Sequence, residues 1–149
     1  MSKELQLLGG RLTDAVTAVK QVNTQLGAIR KVLADSVNTP ATFRSTLDSI
    51  VTQATPLKKK FLIRDEGDES EFTSAMFLAA MPIRVSQLTG EVSGFLAGPS
   101  AQNLRTMEEV RRDVPIAVEE TNALVTRFAA FVKRLSEAGL YPVMPTVVK

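Results

Sequence analysis

The apolar residues between positions 5 and 33 are spaced by alternating steps of three and four, and this spacing restricts the fold more than any other feature. They are Leu5, Leu8, Leu12, Ala15, Val19, Val22, Leu26, Ile29 and Leu33. Such spacing places all of them on one stripe of an α-helix, whereas a strand would repeat with a period of two. The helix would be about 43 Å long. Its narrow stripe needs partner helices to cover it.

Later segments of the chain repeat this pattern, and the four predicted helices span residues 5–36, 40–62, 71–97 and 100–138. Thr39 and Ser100 are the predicted N-caps of the second and fourth helices. Pro82 either kinks the third helix or restarts it, and Pro115 interrupts the fourth helix and predicts a bend. Gly139 closes the fourth helix, and residues 139–149 follow as an extended tail.

The apolar residues of the fourth helix form a broad row that we expect to face the core. The row contains Leu104, Met107, Val114, Val118, Val125, Phe128, Val132 and Leu135, and it is widened by Val110, Leu124 and Phe131. Its spacing has the period of a helix that is buried on one side. The fourth helix is therefore expected to pack along its whole length.

Four amphipathic helices without an alternating strand pattern predict an all-α fold. Because the predicted connections are short, we expect an up-down-up-down four-helix bundle with kinked third and fourth helices. A chain of 149 residues fits one domain, which would span residues 1–149. The main alternative is a longer coiled-coil assembly, for which the first and last helices are long enough.

The composition excludes several kinds of catalytic site. The chain contains no His and no Cys, so it has no Glu-x-x-His di-iron motif and no Ser-His-Asp or Cys-His nucleophile. No Gly-rich loop follows a strand to bind phosphates. We therefore expect no enzymatic activity, no catalytic residue, no metal site and no cofactor.

Charged residues give no strong indication of a nucleic-acid or membrane partner. The net charge of +2 is too small for a typical nucleic-acid-binding surface. The acidic run over residues 65–71 lacks the spacing of an EF-hand and indicates a solvated loop. No apolar run reaches the roughly 18 residues of a membrane span, and no signal peptide is predicted. The localisation stays open.

Two groups of apolar residues are the candidate sites. The first group either fills the core or lines a ligand cavity, since Met side chains pack adaptably. Its members are Phe72, Met76, Phe77, Phe128 and Phe131. The second group follows the last helix and is too apolar to stay in water without a partner or a groove. Its members are Leu140, Tyr141, Val143, Met144 and Val147. This second group either folds back over the bundle or contacts another protein.

Several stretches together carry a resemblance to a known family. They are residues 12–33, 87–96, the break at 98–100, and 122–135 with the segment Ala-Gly-Leu-Tyr-Pro-Val at 138–143. This pattern resembles the helical region C-terminal to the β-propeller of bacterial sortilin-like, BNR-repeat "glycosyl hydrolase" proteins. The resemblance implies an accessory module that docks onto a neighbouring domain, in parent proteins that are often exported. No propeller lies in this chain, so no catalytic residue is carried over.

The sequence as a whole favours a non-enzymatic helical accessory or protein-interaction domain. Such a domain would dock onto a neighbouring domain or a protein partner, and a homo-oligomer is also open. The alternative is a small-molecule or lipid-binding bundle of the sensor-input type, with the ligand among the Phe and Met side chains. A sensor module would be expected to continue into a membrane helix, and no such helix is predicted, which favours the interaction domain.

Overall fold

A computed structural model describes residues 2–35, 39–63, 80–94 and 99–140 of the chain. These residues form four α-helices and no strand, so the predicted all-α class is confirmed. The helices are α1 over Ser2–Asp35, α2 over Ala41–Lys60, α3 over Met81–Gly94 and α4 over Ala101–Glu137. Most of the first part of the predicted third helix, residues 71–79, lies outside the described residues.

The long helices α1 and α4 run parallel to each other. At one end, Arg111 of α4 forms an ion pair with Glu4 near the start of α1. At the other end, the ring of Phe131 in α4 lies against the ring of Phe43 in α2. The next residue of α2 donates a hydrogen bond to the main-chain oxygen of Leu33, near the end of α1. Residue numbers therefore increase in the same direction along α1 and α4.

The helix α2 runs antiparallel to α4 and covers the C-terminal half of it. Lys60, at the end of α2, lies 3.2 Å from the carboxylate of Glu120. Gln53, about two turns earlier in α2, accepts a hydrogen bond from Arg127, which lies later in α4 than Glu120. The order of contacts is thus reversed between the two helices.

The helix α3 also runs antiparallel to α4, but it covers the N-terminal half. Arg84 of α3 pairs with Asp113, and Glu91, later in α3, accepts a hydrogen bond from Asn103, earlier in α4. The end of α2 and the start of α3 meet, since Lys60 and Met81 line the same cleft. The two short helices therefore lie end to end.

This arrangement corrects the expected up-down-up-down alternation. The described helices form three rods, in which α1 and α4 point one way and the composite rod of α2 and α3 points the other way. The physical reason is length: α2 has 20 residues and α3 has 14, so together they match the 34 residues of α1. Two short helices in line bury the stripes of α1 and α4 along their full length.

The helix ends agree only in part with the predicted caps. The Oγ of Ser100 accepts a hydrogen bond from the main-chain nitrogen of Asn103, which confirms Ser100 as the N-cap of α4. Thr39 does not cap α2, because Pro40 occupies the N-cap position and the Thr39 hydroxyl instead donates to the main-chain oxygen of Leu33.

The two prolines predicted to cause kinks have different positions in the helices. Pro82 lies in the first turn of α3 as described, where a proline costs no helical hydrogen bond. It therefore does not interrupt the described helix. Pro115 lies inside α4, which continues through it from Ala101 to Glu137, and a kink there stays a prediction.

The core is built from residues at alternating steps of three and four in every described helix. All nine stripe residues of α1 are buried, as predicted. In α4 the buried residues are Asn103, Met107, Val110, Val114, Ala117, Thr121, Leu124, Phe128, Phe131 and Leu135. Leu104 and Val125 were expected in the core row, but they are 51% and 36% exposed. The core stripe of α4 is therefore narrower than the sequence indicated, and a second apolar row lies beside it.

Candidate functional site

The second apolar row of α4 borders α1. Arg111 identifies this side of α4, because it reaches Glu4 of α1 through two hydrogen bonds of 2.6 and 2.8 Å. Residues seven positions apart return to the same side of a helix in a bundle of this kind. The residues related to Arg111 by such steps are Leu104, Val118, Val125 and Val132. Four of the five positions in this row are therefore apolar.

Glu4, the α1 residue of the same ion pair, identifies the matching row of α1. Steps of seven from Glu4 lead to Arg11, Ala18, Gln25 and Val32. The rod of α2 and α3 lies along another side of α1, where a side chain added at Gly9 would meet Val85 of α3 at 3.7 Å. The two rows thus face each other across the outer edge of the α1–α4 contact.

We define the α1/α4 face as these rows and their outer neighbours over the C-terminal halves of both helices. On α1 it contains Ala18, Gln21, Gln25, Ala28 and Val32, and on α4 it contains Val118, Asn122, Val125, Ala129, Val132 and Ser136. None of these side chains is ionisable. From Ala18 to Val32 the face is about 21 Å long at 1.5 Å per residue. All its side chains are exposed or half-buried.

The opposite flank of α4, which faces the composite rod, is charged instead. Lys60 lies 3.2 Å from Glu120, and Arg127 donates to Gln53 and to Ser49. The contact between α1 and α2 also carries charged residues, since Arg30, Arg44 and Asp48 line a cleft of about 190 Å³ there. The α1/α4 face differs from these two contacts in that it has no ionisable side chain over this length.

Two carboxylates at helix contacts have lowered pKa values. The hydrogen bond from Arg111 lowers the pKa of Glu4. The hydrogen bond from Arg112 lowers the pKa of Asp113; burial opposes this effect, and Arg84 adds to it. Both carboxylates are therefore ionised at neutral pH and bound to arginine. This is the chemistry of ion pairs that fix helix register, since a general acid or base needs a pKa near neutrality.

A cleft of about 270 Å³ marks the junction of α2 and α3. It is lined by Lys60, Met81, Arg84, Asp113 and Ile116. Its charged groups pair with α4, since Arg84 lies 3.4 Å from Asp113. The Nε atom of Arg84 is buried and has no hydrogen-bond partner among the described residues. The cleft is open, and its lining mixes charged and apolar side chains, unlike the enclosed and mostly apolar cavities that bind small ligands.

The predicted ligand-cavity residues that the structure describes belong to the core. Phe128 is 7% exposed and Phe131 is 2% exposed. The ring of Phe131 is 6.4 Å from that of Phe43 and is tilted by 59°, which is a typical packed aromatic pair. The other three predicted members, Phe72, Met76 and Phe77, lie outside the described residues.

The predicted partner-binding residues after α4 are described only at their start. Gly139 has a positive φ of 72°, and the main-chain nitrogen of Leu140 donates to the oxygen of Leu135 at 2.9 Å. Leu140 is half-buried and packs against the core. The remaining predicted members lie outside the described residues, and they are Tyr141, Val143, Met144 and Val147.

Sequence reasoning did not separate the α1/α4 face from the core. It assigned Val118, Val125 and Val132 to the core row; Val118 and Val132 do pack against the core, whereas Val125 is exposed. It did not single out Ala18 or Ala28. The sequence does contain a signal for the face. Its apolar residues on α4 follow one another at steps of seven beside the core row, and the neighbouring residues of the face carry no charge. That signal identifies one side of α4. Only the contact of Arg111 with Glu4 shows that this side lies next to α1.

The described ranges contain neither a metal-binding cluster nor a membrane-spanning helix. In these ranges, no three His, Cys, Asp or Glu side chains lie close enough together to hold a metal ion. No helix there is both long and apolar enough to cross a membrane.

Comparisons of the chain with protein-family models, curated proteins and solved structures found no match in any of the three. The resemblance to the helical region of BNR-repeat proteins therefore stays a prediction.

Proposed function

We propose that this chain is a non-enzymatic helical interaction domain that binds a protein partner or a neighbouring domain through the α1/α4 face. The observation that carries the proposal is the second apolar row of α4, in which Val125 is exposed between Val118 and Val132, beside an uncharged flank of α1. Val118 and Val132 are half-buried and pack against the edge of the core, so the row offers a further helix a partly open apolar edge among the described residues.

The chemistry of the face supports a helix as the bound element. Two parallel helices about 8–10 Å apart leave a groove between them that accepts the ridge of a third helix. A face of about 21 Å matches roughly four helical turns. Because no ionisable group has to be desolvated, burial of its Val and Ala side chains is favourable at about 25 cal/mol per Å² of apolar surface.

The residues around the face carry charges of both signs. Lys31 of α1 and Lys133 of α4 are exposed on the outer sides of the two helices, and Glu119 is exposed two heptads before Lys133 on the same side of α4. We therefore propose an amphipathic partner helix with small apolar residues on its contact side and polar residues at the edges.

Site-specific photo-crosslinking tests this proposal. A photoreactive amino acid replaces Val125 in one variant and Ala123 in a control variant, and each variant is expressed in the organism from which the protein comes. Ala123 is also exposed, but it lies on another side of α4. The proposal predicts a crosslinked protein from position 125 and a several-fold weaker crosslink from position 123.

The crosslinked protein is then identified, purified and titrated against the chain. Val125→Glu should weaken binding at least about tenfold, since it buries a charge in an apolar contact, whereas Ala123→Glu should leave the affinity within about twofold. Equal affinities for the two variants, or crosslinking that is equal at both positions, would refute the proposal. Crosslinking to a second copy of the chain would instead identify a homo-oligomer interface.

A further inference from the structure

We propose that one flank of α4, where it borders the N-terminal half of α2, binds an acidic segment of a protein partner. This α2/α4 flank lies on the other side of α4 from the α1/α4 face, so the inference goes beyond the proposed function and can fail without it. The flank is formed by Arg127, Arg134, Thr42, Thr46, Ser49 and Gln53.

The row of α4 that borders the composite rod changes the sign of its charge along the helix. Its members follow one another at steps of seven, and they are Asp113, Glu120, Arg127 and Arg134. The two carboxylates form ion pairs with Arg84 and Lys60 of the composite rod. In the part of the chain that the structure describes, the two arginines form no ion pair. The row therefore ends in two positive charges that the described residues do not neutralise.

Neutral side chains of α2 hold the guanidinium group of Arg127 in place. Its Nη1 donates to Oε1 of Gln53 at 2.8 Å, and its Nη2 donates to Oγ of Ser49 at 2.6 Å. A guanidinium group has five N–H donors, so donors remain for a further acceptor. Because neither partner is charged, Arg127 keeps its full positive charge in a fixed orientation.

The second arginine of the flank repeats this environment one heptad later. Arg134 lies about 10.5 Å beyond Arg127 along α4. Because α2 runs antiparallel to α4, the α2 residues at this level lie one heptad earlier than the partners of Arg127. They are Thr42 and Thr46, which are also neutral. Two carboxylates about 10.5 Å apart, as in residues seven positions apart on a helix, can therefore pair with both arginines.

The surrounding end of the bundle has an excess of positive charge. In residues 30–35, 41–48 and 127–137, six cations stand against three carboxylates. The cations are Arg30, Lys31, Arg44, Arg127, Lys133 and Arg134, and the carboxylates are Asp35, Asp48 and Glu137. Such an excess attracts acidic segments and speeds their association.

The number and type of the cations favour a carboxylate partner over a polyphosphate or a membrane. The planar guanidinium group forms paired hydrogen bonds with a carboxylate. Nucleic-acid-binding proteins commonly neutralise about six to ten phosphates, and anionic membranes are recognised by clusters of about four to eight basic residues. Two arginines on one flank match two carboxylates of an acidic protein segment better than either of these.

Nuclear magnetic resonance of the full chain, titrated with deca-glutamate, tests this inference. The Nε–H signals of Arg127 and Arg134 report the flank. Those of Arg11 and Arg105 report arginines that are exposed at the other end of the bundle, and Arg105 also donates to a neutral amide. At low ionic strength, where exposed charges are little screened, the inference predicts saturable shifts that are several-fold larger at the first pair. Deca-glutamine should shift none of the four signals.

A carboxylate introduced on the flank completes the test. Ser49→Asp places a carboxylate beside Arg127, which Ser49 already contacts at 2.6 Å, so it should compete with deca-glutamate and weaken binding at least about fivefold. Thr55→Asp changes the net charge equally, but Thr55 lies one heptad after Asp48, on the α1 side of α2. It should leave the affinity within about twofold.

Three results would overturn the inference. They are equal shifts at all four arginines, no shift at any of them, and equal affinities of the two variants. Inorganic phosphate or a single-stranded oligonucleotide that saturates the same signals at a lower concentration than deca-glutamate would also overturn it, because the flank would then bind phosphate groups.

Discussion

Truncation of two neighbouring residues of α4, Leu124 and Val125, should have very different effects on stability. Leu124 belongs to the core stripe and is 0% exposed, whereas Val125 belongs to the second row and is 36% exposed. The sequence pattern alone placed both in one broad core row. The structure assigns only Leu124 to the contacts that hold the three rods together.

The magnitudes follow from the carbon atoms removed. Leu124→Ala removes three buried carbons at about 0.8 kcal/mol each, and the remaining cavity adds to this cost, so we expect a loss of about 3 kcal/mol. Val125→Ala removes two partly exposed carbons, worth about 1 kcal/mol. The higher helix propensity of Ala returns about 0.5 kcal/mol of this. The net loss for Val125→Ala should be about 0.5 kcal/mol.

Urea unfolding followed by far-ultraviolet circular dichroism measures both losses. The m-value should stay constant in both variants, because neither substitution changes the surface exposed on unfolding by much. The expected order is a large loss for Leu124→Ala and a small one for Val125→Ala. Equal losses, or a larger loss for Val125→Ala, would refute the assignment of the second row to the outside of the core.

Three further substitutions test other parts of the structure. Gly27→Ala should stabilise the chain by about 0.5–1 kcal/mol in thermal or urea unfolding, since a helical Gly is unfavourable and no described atom lies within 4 Å of the added carbon. Gly139→Ala should destabilise it by about 1 kcal/mol in the same assay, because φ is positive there. Asp113→Asn should lower stability by less than about 1 kcal/mol at pH 7. Since the folded state lowers the pKa of Asp113, its contribution is present above the unfolded pKa of about 3.9 and is lost as the pH falls below it; the difference from wild type should therefore vanish in strong acid.

Much of the fold follows from local sequence signals. The nine stripe residues of α1 are predictable because a step pattern of three and four has only one helical interpretation. The start of α4 is predictable because Ser100 and Asn103 form a reciprocal cap. Both signals depend on residues that lie within a few turns of each other, so no knowledge of the other helices is needed.

The direction of the helices was not predictable from the same pattern. An apolar stripe with heptad spacing packs in both parallel and antiparallel pairs, and the contact of Glu4 with Arg111 spans more than a hundred positions. The choice depended on the lengths of α2 and α3, and the sequence suggested a longer third helix. The α1/α4 face was missed for the same reason, because it exists only where α1 and α4 are neighbours.

The parallel arrangement of α1 and α4 is the claim on which the face and the proposed function depend, and one distance measurement tests it directly. Cysteines that carry nitroxide labels replace Lys3 and Arg112 in one variant, and Lys3 and Lys133 in another. Arg112 and Lys133 lie on the same side of α4, three heptads apart, which corresponds to about 32 Å along the helix. With parallel helices, pulsed electron paramagnetic resonance should give a distance for Lys3–Lys133 that exceeds that for Lys3–Arg112 by roughly 15–20 Å. A shorter distance for Lys3–Lys133 than for Lys3–Arg112 would show that α1 and α4 are antiparallel and would contradict the account.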